Sequence, residues 1–272
     1  MAQNESSNSL VALVTGASSG VGEALAPLLA QNGYAVYGMS RRTVDLPGVT
    51  ALPADVSDPE ALRVAVNQII HERGHLDAVF HCAGIGGAGP VEQMPYERAR
   101  RIMDTNFWGS FHICQATLPH LLAAPYGRLL IVGSIGGYIG IPFRSIYCAS
   151  KGALLNLVES LRLETRGSNL QVACICPGDI ATNSVATQYR MPYEEVNPRY
   201  RPSYQAADEH MAQNVDHGMT ALSVAEQMFR IAQKPTLKPQ YILGEPIQKI
   251  SPLAKRLLPG RLWERVLGSY YK

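Results

Sequence analysis

No apolar run in this sequence is longer than a strand, so no segment of it is expected to cross a bilayer as a helix. The first nine residues, MAQNESSNS, are polar. They lack the basic and apolar regions of a secretory signal, so they are expected to be disordered and a cytoplasmic location is the default. An excess of one charge is also missing. The 24 Lys and Arg against 22 Asp and Glu leave +2, which gives no argument for nucleic acid or for a broadly acidic partner. Metal-binding patterns are absent too. The five cysteines, Cys82, Cys114, Cys148, Cys174 and Cys176, are odd in number and irregularly spaced, and no His or Cys group completes a site with Cys174 and Cys176. They are expected to be free thiols, mostly buried, with Cys174 and Cys176 on one side of a strand. No repeat and no linker divides the chain. Its 272 residues, 46% hydrophobic and 17% charged, suffice for one large domain with a sizeable core.

What is present is a regular alternation. Leu10–Val14 is a short buried-strand pattern that opens onto Thr15-Gly16-Ala17-Ser18-Ser19-Gly20-Val21-Gly22 and then a helix pattern ending at Asn32-Gly33. Strand, glycine turn and helix aim backbone N–H groups and a helix N-terminus at a phosphate. The spacing is G-x-x-x-G-x-G rather than G-x-G-x-x-G, and a tight loop is the alternative. Its place at the first strand–helix junction favours the dinucleotide reading. Pro27 falls inside the helix and is expected to bend it. Tyr34–Met39 is the second strand. After it, where an acid would bind the ribose hydroxyls of NAD, stand Arg41 and Arg42. Two guanidinium groups suit a 2′-phosphate, the alternative being a solvated basic turn.

Further strands are expected at Val49–Pro53, Leu76–Phe80, Arg128–Gly133, Leu170–Cys176 and Gln240–Gly244. Between them lie a helix capped at Ser57-Asp58-Pro59 and closed by Gly74, and a helical stretch over 95–122 broken near Thr105-Asn106. This pattern predicts an α/β fold, a doubly wound parallel sheet of about seven strands with helices on both faces in a single domain.

Tyr147 and Lys151 are four apart at the start of a helix and share a face. A nearby ammonium favours the phenolate and lowers a tyrosine pKa from its usual value near ~10. With 13 Tyr and 6 Lys in the chain, one such pair arises by chance about 0.3 times, so the spacing alone is weak. Its context strengthens it, because Ser134 ends the preceding strand and could offer a hydroxyl to the same substrate oxygen.

Taken together, Thr15-Gly16-x-x-x-Gly20-x-Gly22, Asp55-Val56, Ala83-Gly84, Asn106, Ser134, Tyr147-x-x-x-Lys151 and Pro177-Gly178-Asp179-Ile180-Ala181-Thr182 resemble the short-chain dehydrogenase/reductase family from Ser9 to Gly244. The resemblance implies a Rossmann-type fold and an oxidoreductase using NADP(H). Tyr147 would be the general acid or base, Lys151 would lower its pKa and hold the nicotinamide ribose, Ser134 would orient the carbonyl, and Asn106 would anchor a relay water. Gly16, Ser18, Ser19, Gly20, Val21, Gly22, Val56, Ala83, Gly84, Pro177 and Gly178 would line the cofactor. Asp55 would take the adenine amino group, while Ile180 and Thr182 would hold the carboxamide. Two departures stand out. His81-Cys82-Ala83-Gly84 replaces the common Asn-Asn-Ala-Gly, and the chain continues past the last strand instead of ending in a glycine-rich tetramer contact.

That continuation, 247–272, resembles the tails of members acting on steroids, retinoids and other lipophilic alcohols. It is expected to be amphipathic and basic from Leu253, with Leu257, Leu258, Leu262, Val266 and Tyr270 flanked by Lys255, Arg256, Arg261, Arg265 and Lys272. Pro259-Gly260 limits its continuous helix to Arg261 onward. The tail is expected to pack on its own subunit or a dimer mate beside a substrate lid, with contact to a membrane surface as the alternative. Residues 183–220, with Tyr189, Tyr193, Tyr200, Tyr204, Met191 and Met211 but little periodicity, suggest a substrate lid. The expected substrate is a lipophilic secondary alcohol or ketone. Alternatives are a 3-oxoacyl-thioester reductase or a non-catalytic NADP-binding sensor. A homodimer or homotetramer is the expected assembly.

Overall fold

The computed structural model describes residues 9–181, 188–216 and 218–271. Most of the expected disordered N-terminus therefore lies outside the described residues, as do Thr182 and the start of the expected lid.

The short apolar runs form β1 (Val11–Thr15), β2 (Ala35–Ser40), β3 (Val49–Pro53) and β4 (Ala78–His81). They are followed by β5 (Gly87–Ala88), β6 (Arg128–Val132), β7 (Gln171–Pro177) and β8 (Ile180–Ala181). The last three are β9 (Tyr189–Arg190), β10 (Met219–Thr220) and β11 (Gln240–Leu243). Seven of them make one parallel sheet in the order β11-β7-β6-β4-β1-β2-β3. The order reverses direction between β1 and β4, which opens a crevice at the carboxyl ends of the strands. The pairs β5–β9 and β8–β10 form two separate two-stranded sheets.

The helices are α1 (Gly20–Gln31), α2 (Pro59–Arg73), α3 (Tyr96–Met103), α4 (Gly109–Ala123) and α5 (Ser145–Glu164). They continue as α6 (Arg201–Asp216), α7 (Ala221–Ala232), α8 (Pro246–Leu257) and α9 (Gly260–Tyr270). The two-residue period of each strand sends alternate side chains into two cores, as a sheet covered on both faces requires. Val11, Leu13, Leu129, Ile131, Cys174 and Cys176 pack with α2, α4 and α5. Ala12, Val14, Leu130, Ala173 and Ile175 pack with α1 and α7. Local signals end the helices where expected. Asp58 Oδ1 accepts from the Glu60 and Ala61 amides at 3.0 and 3.1 Å, and Gly74 closes α2 in the left-handed region. α1 continues through Pro27.

Three elements differ from expectation. The break near Asn106 is a π-helical turn, Asp104–Trp108, that joins α3 to α4 without leaving the helix. The segment thought to lack periodicity contains α6, whose buried Tyr204, Ala207 and Met211 recur at three- and four-residue steps. The tail holds two helices rather than one. Its first, α8, starts with Pro246 at the first helical position while Gln248 Oε1 accepts from the Glu245 amide at 3.2 Å. This Glu-Pro-x-Gln start was a legible capping signal. Among the described residues no helix is long and apolar enough to cross a membrane.

Candidate active site

The end of β1 turns back on itself against the end of β4. Gly16 has φ +69°, and a Cβ there would lie 2.8 Å from the Ala83 nitrogen; a Cβ on Gly22 would lie 2.5 Å from the Gly16 oxygen. Only glycine allows both approaches. Thr15 Oγ1 accepts from the Ala83 amide at 3.2 Å and bonds His81 Nδ1 at 2.8 Å, which ties the two strand ends together. Ser19, the N-cap of α1, makes no side-chain capping bond. Gly16, Ser19, Gly20 and Val21 line the cavity described below. Backbone donors at a helix N-terminus are a donor set suited to the phosphates of a dinucleotide.

On the other side of the crevice Ser134 follows β6 and caps a short 3₁₀ turn, its Oγ accepting from the Gly136 amide at 3.0 Å. That bond holds the oxygen and leaves its proton for an acceptor in the pocket. Tyr147 and Lys151 sit one turn apart on α5. Lys151 is buried, and its Nζ donates to the Val132 carbonyl at 2.7 Å. A Cβ on Gly84 would stand 3.3 Å from both Lys151 Nζ and Asn106 Oδ1, so glycine there leaves the ammonium room. Asn106 points inward from the π turn. Its Oδ1 accepts from the Ile85 amide at 2.8 Å, and its Nδ2 donates to the Ile85 carbonyl and to Ser150 Oγ, each at 2.9 Å. Ser150 Oγ in turn donates to the Tyr147 carbonyl at 2.7 Å.

The electrostatics depart from the expectation that Lys151 lowers the Tyr147 pKa. Burial pushes the Tyr147 phenol above its ordinary value, and the opposing pull comes from the Ser134 hydroxyl and the Arg144 guanidinium. Burial also brings the Lys151 ammonium down to about 8. In the chain by itself desolvation outweighs the neighbouring charge, and Tyr147 is held as a proton donor at neutral pH. Burial likewise lowers His81 to about 3 and raises the Cys82 thiol to about 12. Four of the five thiols are buried and Cys82 is half-buried, and all are free. Cys174 and Cys176 share one side of β7, with sulfurs 3.6 Å apart.

These groups border a cavity of about 480 Å³. Gly16, Ser19, Gly20, Val21, Ala83, Gly84, Ser134, Tyr147, Lys151, Pro177, Gly178 and Ile180 all line it. The cavity lining does not include Ser18, Gly22, Asn106, Arg41, Arg42, Asp55 or Val56. Arg41 and Arg42 are exposed at the end of β2. Asp55 Oδ1 accepts from the amide and hydroxyl of Ser57 at 2.9 and 2.8 Å, and Val56 packs beneath Gly109. The sequence reading missed the far wall. Ile250, Ala254, Trp263, Val266, Leu267 and Tyr270 of α8 and α9 fold back over the crevice, and Arg144, Asp179, Gln188 and Gln248 add polar groups. Lys255 Nζ donates to the Tyr138 carbonyl at 2.6 Å, which fastens α8 to the same subunit.

The sheet order and a site at its switch point define a Rossmann-type α/β protein. A family model described as short chain dehydrogenase matches residues 10–192. The 3-ketodihydrosphingosine reductase of Bacteroides thetaiotaomicron is 30% identical over 262 residues, 96% of this chain and 97% of that protein. An 11-beta-hydroxysteroid dehydrogenase A of Arachis hypogaea is 34% identical over 197 residues, 68% of this chain and 56% of that one. A solved short-chain dehydrogenase from Streptomyces avermitilis is similar with a TM-score of 0.80 at 26% identity, covering 95% of this chain and 97% of that chain. The chain belongs to the short-chain dehydrogenase/reductase family of oxidoreductases.

Proposed function

We propose that the chain is an NADP(H)-dependent oxidoreductase that interconverts a secondary alcohol and a ketone on a lipophilic substrate. The observation that carries this reading is one cavity lined both by Ser134, Tyr147 and Lys151 and by apolar residues of α8 and α9. The turn from Gly16 to Gly22 fits a dinucleotide phosphate, and the exposed Arg41 and Arg42 suit a 2′-phosphate. A nicotinamide cofactor supplies or takes the hydride when bound. Ser134 donates a hydrogen bond to the substrate oxygen, and Tyr147, kept protonated by burial, gives that oxygen its proton. Lys151 holds positive charge beside the site, and Asn106 fixes the Tyr147 backbone through Ser150. The relatives named as a 3-ketodihydrosphingosine reductase and an 11-beta-hydroxysteroid dehydrogenase support the lipophilic class.

The outward residues of the same helices, Leu253, Leu257 and Leu262, are exposed beside Lys249, Arg256 and Arg261. We read this face as a peripheral contact with an anionic lipid surface, near where a lipophilic substrate enters.

The test follows NADPH consumption by purified protein against ketones of increasing chain length and a 3-oxoacyl thioester. Turnover should grow with apolar length and fall about 10²–10⁴-fold in Tyr147→Phe, with cofactor affinity nearly unchanged. NADPH binding without consumption of any ketone would favour a sensor instead, and preference for the thioester would move the substrate class.

A further inference from the structure

The cavity carries two ionic side chains that take no direct part in this chemistry. Arg144 immediately precedes α5, and its guanidinium carbon is 5.7 Å from the centroid of the Tyr147 ring. Its Nη2 donates to Gln188 Oε1 at 3.1 Å, while its Nε is buried with no partner among the described residues. Asp179 follows Pro177-Gly178 on a different wall and accepts at Oδ2 from Gln248 Nε2 of α8 at 2.8 Å. Both line the cavity. Each charge is close enough to influence the other's titration, yet the two form no ion pair among the described residues.

The backbone holds Arg144 in this position at some cost. Phe143, just before it, has φ +60°, the one positive value at a non-glycine among the described residues. A bulky residue persists there only where its surroundings over-determine it. Here the Phe143 carbonyl accepts from the Gly89 amide at 2.8 Å, and its ring meets Tyr204 and Tyr200 edge-on at 5.2 and 6.5 Å. The segment between the 3₁₀ turn and α5 is thus clamped by Gly89 after β5 and by Tyr200 and Tyr204 at the start of α6, and the clamp sets how Arg144 enters the pocket.

A guanidinium and a carboxylate held apart in a half-buried pocket each retain unmet hydrogen-bonding capacity. The guanidinium needs an acceptor and the carboxylate needs a donor. A substrate carboxylate would face Asp179 with like charge, and an ammonium would face Arg144 in the same way. A plain ketone chain satisfies neither. A hydroxyl group both accepts and donates, so it suits either partner without a like-charge clash. We propose that Arg144 and Asp179 form a head-group site for a hydroxyl carried beside the reacting carbonyl. The substrate is then an amphipathic hydroxy ketone, or in reverse its diol, with the apolar chain along α8 and α9. This deepens the oxidoreductase reading and rests on it for the position of the carbonyl.

The test reads binding first. Trp263 lines the cavity, and its fluorescence reports occupancy in the full chain saturated with NADP⁺. Dodecane-1,2-diol should bind about tenfold to a hundredfold more tightly than dodecan-2-ol, as expected for hydrogen bonds to charged groups. Arg144→Met and Asp179→Asn should each bring the two affinities to within about threefold. A ratio taken within one variant cancels general damage to the fold or to the Tyr147 pKa, and a melting curve verifies folding. In turnover, 1-hydroxydodecan-2-one should exceed both dodecan-2-one and 2-oxododecanoate in kcat/KM. Equal affinity for diol and alcohol in the wild type, discrimination that survives both substitutions, or preference for the oxoacid overturns the proposal. Selective diol binding without any ketone turnover would sink the oxidoreductase reading alone, and ketone turnover without diol preference would sink this inference alone.

Discussion

Replacing Asn106 by alanine removes a side chain that is 0% exposed and joins three segments of the site. The bonds lost are those to the Ile85 amide, the Ile85 carbonyl and Ser150 Oγ. Ser150 stays buried and the Ile85 backbone half-buried at the cavity wall, and each loses its counterpart. At about 1–2 kcal/mol for the buried Ser150 and less for each of the two half-buried Ile85 groups, which water can reach, the change costs roughly 2–4 kcal/mol. For a chain of this size about 1 kcal/mol moves Tm by about 2–4 °C, so a cost near 3 kcal/mol lowers Tm by about 6–12 °C. Asn106→Asp should be no better, because it keeps the acceptor for Ile85 N–H but sets a carboxylate against the Ile85 carbonyl. Asn156→Ala, on the exposed face of α5, is the control and should stay within about 1 °C. Calorimetric melting of the three variants gives the comparison. Steady-state kinetics should show kcat falling more than KM rises, since Ser150 then no longer fixes Tyr147. A drop for Asn106→Ala no larger than that of the control would refute the argument that these three bonds hold the site.

Other perturbations separate the remaining claims. Replacing Arg41 and Arg42 by glutamine should weaken NADPH several-fold to a hundredfold and leave NADH nearly unchanged in a fluorescence titration; equal losses would make the two arginines structural. Deleting 247–272 removes two helices that contain no fully buried residue, so Tm should move by only a few degrees. The same deletion should cut kcat/KM for dodecan-2-one at least about tenfold relative to butan-2-one, because the apolar wall is gone. It should also abolish co-sedimentation with anionic vesicles, and failure of the intact protein to bind them rules out the membrane contact. His81 is 1% exposed, and burial, with a smaller effect from Lys151, holds it at about 3. In the unfolded chain it takes up a proton below about 6.5. The unfolded state therefore binds more protons between these values, and stability falls as pH drops through that window by up to about 1.4 kcal/mol per unit. His81→Asn removes this titration, so its Tm should change less than that of the wild type between pH 6.5 and pH 5; parallel curves would mean that His81 does not stay neutral in the fold.

Much of the fold was legible because its signals act within a few residues. Strand-length apolar runs, the Asp58-Pro59 cap, the Gly74 stop and the four-residue step from Tyr147 to Lys151 each depend only on local backbone geometry, and each stands in the fold where the sequence set it. The capping start of α8 was equally local and was overlooked. What no local signal carries is a balance between distant parts. The step from Tyr147 to Lys151 argued for a lowered phenol pKa, but burial raises it, and the pull against burial comes from Ser134 and Arg144 rather than from Lys151. The roof of the cavity has the same origin. Trp263 and Ile250 lie more than a hundred residues from Ser134, and only the packed chain brings them to one pocket. The separation of Arg144 from Asp179 likewise depends on a backbone clamp at Phe143 and a glutamine from α8. The sequence by itself determined the strands, the glycine turn and the candidate side chains; tertiary structure decided how buried that site is and what shape of molecule it admits, because desolvation and shape are properties of residues brought together from distant parts of the chain.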